Sequence, residues 1–271
     1  MTDMQTALRT DQIGPLLNEY KDSHLPWRKA ELATLLLNLQ NAFNIPVVHS
    51  VLQEADDNSS ETQHPAQNPQ QKLALRSAGA LTYAHFEGWV KEFTAEYYRL
   101  LNSAQIPSGL LCDSLLGAVI KSHVNTLSDS NSPHKAVEFA HLLTSQLFTN
   151  PSHFNQKYLT NTESNLNWRV FEKITRWTGL PIEDFIESKS SIEIMIGWRN
   201  AIAHGEKRVF AMGKELTAEN YIKNHEDILH LIQRFRDDLI AHCDSQSFLQ
   251  DRQLNTPQGT ISTTHLICGG H

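Results

Sequence analysis

Cysteine is scarce in this 271-residue chain, which has only Cys112, Cys243 and Cys268. Their odd number and wide spacing argue against a disulfide framework and for a reducing, cytoplasmic setting. Long hydrophobic runs are missing as well. None reaches the ~18 residues that a membrane-crossing helix needs, so no membrane partner is expected. Met1 to Asp11 lacks the basic-then-apolar order of a secretory leader. Positive charge is in deficit, with 23 Lys and Arg against 30 Asp and Glu, a formal net charge of -7. Any contact with nucleic acid must therefore be local. There is no Walker loop, no dinucleotide-binding glycine fingerprint and no nucleophile elbow. The remaining composition, 40% hydrophobic and 20% charged, is that of an ordinary globular protein.

The sequence is rich in helical periodicity. Strand signals are short, scattered and not joined by Asn-Gly or Asp-Gly turns. The segment from Trp27 to Phe43 is apolar round much of a helix and should stop near Ile45-Pro46. Residues 54–71, EADDNSSETQHPAQNPQQ, carry no large apolar side chain and read as a flexible linker or loop. The longest expected helix is Lys72 to Leu101, with Tyr83, Phe86, Val90, Phe93, Tyr97 and Leu101 on one stripe. Such an aromatic stripe is read as core rather than as a base-stacking platform. Further helices are expected at about 110–127, 134–149, 166–178, 182–204 and 218–243. Gly179-Leu180-Pro181 supplies a stop signal after the third of these. The expected fold is an all-α helical bundle in four parts: an extra N-terminal helical segment (1–53), the linker (54–71), the main helical domain (72–243) and a polar, frayed C-terminal tail (244–271).

The stretch most informative about chemistry runs from Ile192 to Gly205, IEIMIGWRNAIAHG. On a helix Ile192, Met195, Ile196, Ile202 and Ala203 share one face, and Arg199 falls near its middle. A cation there is costly unless it snorkels, pairs or faces a site or partner. Asn200 and His204 lie four apart and are neighbours on the flanking face. Arginine can grip a phosphate with two parallel hydrogen bonds, histidine can move protons near neutral pH, and asparagine can orient a ligand oxygen without adding charge. A snorkelling arginine and a capping histidine would produce the same pattern of residues.

R-N-A-I-A-H-G, residues 199–205, resembles the R-N-x-x-x-H motif of the HEPN superfamily. Two more segments resemble a bacterial RiboL-PSP-HEPN or MAE-like branch of it: Y-A-H-F-E-G-W-V-K-E-F (Tyr83 to Phe93) and N-L-N-W-R-V-F (Asn165 to Phe171). The resemblance spans roughly residues 72–243. It implies a compact helical bundle and a metal-independent endoribonuclease with Arg199, Asn200 and His204 as catalytic residues. It further implies a homodimer with the motif at its interface, RNA as substrate, and a toxin–antitoxin or antiphage setting with an antitoxin or regulatory protein as partner. The rival reading is a non-catalytic module of the same fold that binds RNA, a nucleotide or a protein.

Glu87, with Arg76 on the same helical line, is a candidate supporting residue. Its carboxylate could pair with Arg199, orient His204, or simply join helices. Lys207, Arg208 and Lys214 are candidate phosphate contacts because they follow the motif closely. His265, Cys268 and His271 stand three apart but lack a fourth ligand and a fixed scaffold. His225, His230 and His242 have no i, i+4 spacing among them. No metal and no cofactor is assigned.

Overall fold

The computed structural model describes residues 8–44, 68–129 and 132–250. Within them the chain is almost entirely helical. Two helices open it: α1 (Ile13–His24) and, after a one-residue joint at Leu25, α2 (Pro26–Phe43). Asn44 ends α2 in the left-handed conformation, φ 52°. The expected linker falls outside the described residues up to residue 67. At its end the Asn68 side chain accepts the Gln71 N–H, and the Gln71 side chain accepts the Asn68 N–H. This reciprocal cap, with proline in the first turn, starts α3 (Pro69–Ser103), three residues before the sequence places it.

Then follow α4 (Asp113–Ser128), α5 (Pro133–His141) with a π-turn at Leu142–Gln146, and α6 (Gln156–Leu159). Asn167 caps α7 (Trp168–Thr178) through the Val170 N–H, and Gly179, φ 91°, closes it. The single helix expected over 182–204 is two elements, a 3₁₀ stretch at Ile182–Ser188 and α8 (Lys189–Ala203). A two-stranded hairpin, β1 (Phe210–Ala211) and β2 (Lys214–Glu215), precedes α9 (Ala218–Asp244). Its turn residues Met212 and Gly213 both have positive φ, 48° and 74°. A tight hairpin needs that, but methionine rarely adopts it, so the sequence signal is weak.

The main core gathers the inner faces of α1, α3, α4, α7, α8 and α9. Phe171 sits at its aromatic centre, with ring centroids 5.7 Å from Phe235, 5.8 Å from Phe185, 5.9 Å from Trp168 and 6.2 Å from Phe86. Ile13, Leu17 and Leu25 belong to this core, so the N-terminal helices are built into the same body as residues 72–243. Arg28 of α2 lies flat over Gly88 of α3, where a Cβ would come within 2.8 Å of the guanidinium, and pairs with Glu92 at 2.5 Å. The tail begins docked rather than frayed. Phe248 is fully buried and its carbonyl accepts the Cys112 N–H at 2.9 Å, while residues 251–271 lie outside the described residues.

A smaller apolar cluster sits beside the main core, built from Leu39, Leu75, Ala78, Trp198, Ala201, Val209, Leu216, Ala218 and Tyr221. Helix α8 serves both. Its first half gives Ile192, Met195 and Ile196 to the main core, and its second half gives Trp198 and Ala201 to the smaller cluster. The buried stripe therefore veers along the helix. Ile202 is half-buried and Ala203 exposed, and Arg199 lies at the edge of the buried face instead of at its middle.

Candidate active site

Three neighbours place the motif. Trp198, fully buried, donates its indole N–H to the Lys214 carbonyl at 3.1 Å and ties α8 to the hairpin. On the next face Gly197 lets the hairpin sit close, since a Cβ there would lie 2.4 Å from Ala211 Cβ. At the C-terminus the Glu206 N–H reaches the Ala201 carbonyl and the Gly205 N–H the Ile202 carbonyl, both at 3.0 Å. With Gly205 at φ 69°, this is a Schellman cap. It ends α8 at Ala203 and leaves His204 as the C-cap residue, exposed to solvent.

Arg199 and Asn200 are joined: the Arg199 Nη1 donates to Asn200 Oδ1 at 3.0 Å. The Arg199 guanidinium also lies 5.3 Å from the centre of the Tyr83 ring, which gives the half-buried cation an aromatic shelf. The His204 side chain makes no hydrogen bond or ion pair with any described residue. Five helical residues turn it about 140° from Arg199. Within one chain, then, Arg199 and Asn200 are bonded to each other, and His204, about 40° from Asn200 on the helix, is bonded to neither. Arg199 opens onto a shallow cavity of about 260 Å³ lined by Ala80, Tyr83, Ala84, Glu87, Ile202 and Ala203. Its walls are mostly small and apolar.

Tyr83 and Glu87 of α3 hold the far side of this cavity. The Tyr83 hydroxyl accepts the Leu166 N–H at 2.7 Å, in the turn before α7. Burial, aided by the Glu87 charge, raises its pKa to about 12, so it is a neutral phenol at any physiological pH. The Glu87 carboxylate accepts the Thr162 hydroxyl. Glu87 and Arg199 line one cavity without forming an ion pair. Glu193 of α8 accepts the Trp168 N–H at 2.9 Å, at the first turn of α7. The three segments singled out in the sequence thus converge: α3 through Tyr83 and Glu87, the turn into α7 through Leu166 and Trp168, and α8 through Glu193 and Arg199. Sequence reading missed Thr162 and the roles of Tyr83 and Glu193. For Tyr83 the signal was its i, i+4 spacing from Glu87.

Arg76 donates to the Glu206 carbonyl and so anchors the loop that follows the motif. The three basic residues downstream separate. Lys207 and Arg208 face a groove shared with Lys72 and Arg76. Lys214 lines a different groove, between α8 and α9. Adjacent strand residues point to opposite faces, and Lys214 precedes Glu215, which lines the first groove.

With this geometry in place, comparison with known proteins is decisive about ancestry. The RiboL-PSP-HEPN family model matches residues 23–241. This chain belongs to the RiboL-PSP-HEPN family. The match takes in α2, whose Leu39 joins the smaller cluster, as well as residues 72–241. Neither the curated proteins nor the solved structures include a match. Family membership points to a nuclease or RNA-related role. Among the described residues no helix is long and apolar enough to cross a membrane.

Proposed function

We propose that this chain is a metal-independent endoribonuclease whose site is completed by a second copy of itself. The observation that carries the reading is the solvent-open Arg199–Asn200–His204 constellation in a member of the RiboL-PSP-HEPN family. Arg199 and Asn200 grip the scissile phosphate, and the guanidinium offsets the charge that builds up on it. His204 moves the proton as the neighbouring ribose 2′-hydroxyl attacks, leaving a 2′,3′-cyclic phosphate and a 5′-hydroxyl. Because Arg199 and His204 diverge within one chain, Arg199 of one protomer works with His204 of the partner subunit. The small-walled face of Ala80, Ala84, Ile202 and Ala203 around Arg199 is the surface that lets the two copies approach. Such an enzyme in the cytoplasm needs restraint, which fits a toxin or antiphage effector held by an antitoxin or regulatory protein.

Cleavage of a single-stranded RNA should persist in EDTA and fail on the same RNA carrying 2′-O-methyl at the scissile position. Loss of cleavage in EDTA with recovery on adding magnesium or manganese would defeat the proposed chemistry. No cleavage under any condition would favour the non-catalytic binding module. Light scattering should give twice the 30.7 kDa chain mass at micromolar concentration. A monomer that still cuts RNA would overturn the shared site.

A further inference from the structure

Beside the motif lies a groove of about 290 Å³ between the first turns of α3 and the base of the hairpin. Lys72, Arg76, Lys207 and Arg208 line it over a floor of Leu75, Val209 and Leu216, and Glu215 is its one carboxylate. Four cations against one anion leave a formal charge of +3 there, on a chain whose net charge is -7. Charge collected this way against the overall balance needs a reason, and nothing in the fold supplies one. Among the described residues Lys72 and Lys207 have no carboxylate within ion-pair distance, and both are exposed. Arg208 gives Nε and Nη2 to Glu215, at 3.3 and 3.2 Å, and keeps Nη1 free of that pair. Arg76 spends one Nη2 hydrogen bond on the Glu206 carbonyl, a small part of a guanidinium's five donors.

The groove also neighbours the candidate active site along α3: Lys72, Leu75 and Arg76 line the groove, and Ala80, Tyr83 and Ala84, from the next turn on, line the Arg199 cavity. Lys207 and Arg208 follow His204 by three and four residues, and the Arg76–Glu206 bond fixes the intervening loop against α3. The Schellman cap at Gly205 sets the direction in which that loop leaves the helix. A strand whose scissile phosphate sits at His204 would have its next phosphates within reach of Lys207 and Arg208. The apolar floor suits a ribose or base face, and the volume suits single nucleotides, not a duplex.

Resting on the endoribonuclease reading, we propose that this groove is the track for single-stranded RNA flanking the cleaved bond, with Lys72, Arg76, Lys207 and Arg208 as its phosphate contacts. The track reads backbone, not sequence, so it supplies affinity and register while the chemistry stays at Arg199 and His204. Lys214, on the other side of the hairpin, takes no part.

The test uses the full chain carrying His204→Ala, which should bind without cutting, and a fluorescein-labelled single-stranded RNA followed by anisotropy. Adding Lys72→Ala and Lys207→Ala should weaken binding at least tenfold. The slope of log affinity against log salt should fall by about 1.4, at ~0.7 for each single-strand phosphate contact. A control pair outside the groove, Lys135→Ala on α5 with Lys157→Ala on α6, removes the same charge and should leave both readouts unchanged. In the cutting enzyme the Lys72/Lys207 pair should raise KM and spare kcat. Equal losses from both pairs would reduce the groove to a share of overall charge and overturn the proposal. Unchanged binding by the groove pair, in a protein that does cleave RNA, would overturn the groove alone. Binding that depends on the groove, in a protein that never cleaves, would overturn the nuclease reading and leave the track standing. No RNA binding by the parent would overturn both.

Discussion

Replacing His204 with alanine should lower RNA cleavage by about a thousandfold, the usual contribution of a positioned general acid or base. The melting temperature should shift by no more than about 2 °C, because the exposed ring makes no hydrogen bond or ion pair with any described residue. Arg199→Ala should cost activity on a similar scale, since the phosphate loses its charge-matching partner in the transition state. Here the protein also loses the Arg199 stack on Tyr83 and the bond to Asn200, so a further drop of a few degrees is expected. Arg199→Lys should not restore the rate, as an ammonium cannot form the paired hydrogen bonds of a guanidinium. Mixing the two dead proteins sharpens the result. A mixed dimer of Arg199→Ala with His204→Ala holds one site with both wild-type groups and one with neither. Random exchange should therefore recover about a quarter of wild-type activity. A mixture that stays inactive would place both groups in one chain, and full activity in His204→Ala would remove the histidine from the chemistry.

Most of the helical map was legible because apolar periodicity and capping residues act locally. Asn167 and Gly179 bracket α7 as their types suggest, and the stripe from Tyr83 to Leu101 is buried in α3. What escaped depends on contacts between distant segments. Helix α1 is short, and its place is settled by Ile13 and Leu17 meeting the main core. The hairpin at 210–215 is held less by its turn residues than by Trp198 and the gap above Gly197. The position of Arg199 was misjudged for a related reason. A helical wheel assumes one buried face, whereas α8 moves from one apolar cluster to another along its length. The chemistry of the site could be proposed from three residue types and a resemblance, but the separation of Lys214 from Lys207 and Arg208 required the hairpin.

Acid should weaken the fold through His225 before most carboxylates are protonated. The side chain is fully buried under the smaller cluster, with Nδ1 at 3.2 Å from the Thr82 hydroxyl and 3.1 Å from the Tyr221 hydroxyl. Its Nε2 is buried without a partner. Burial lowers the ring pKa to about 4, because a protonated ring would carry an N–H and a charge that nothing there accepts. The unfolded chain takes up this proton near pH ~6.5. Between that pH and about 4 the unfolded state binds a proton that the folded state refuses, so stability falls as pH falls. Below about 4 both states are protonated and the loss stops growing, at roughly 3 kcal/mol. Burial also lowers His242 to about 4 and pushes the same way by a similar amount, which is why a His225 variant is needed to isolate the residue. Urea unfolding of wild type and His225→Leu at pH 7.5 and pH 4 isolates the residue. The variant should be less stable at pH 7.5, where Thr82 and Tyr221 lose their partner. The gap should then shrink by about 3 kcal/mol at pH 4, where only the wild type still meets the cost of charging the ring. Parallel losses in the two proteins would mean that His225 is not the group being titrated. The result also bears on catalysis, since Tyr221 and Trp198 share the cluster that supports the motif turn. In wild type, loosening of that cluster would lower the rate on the acid side, and the rate profile of a His225 variant would show how much of that loss it causes.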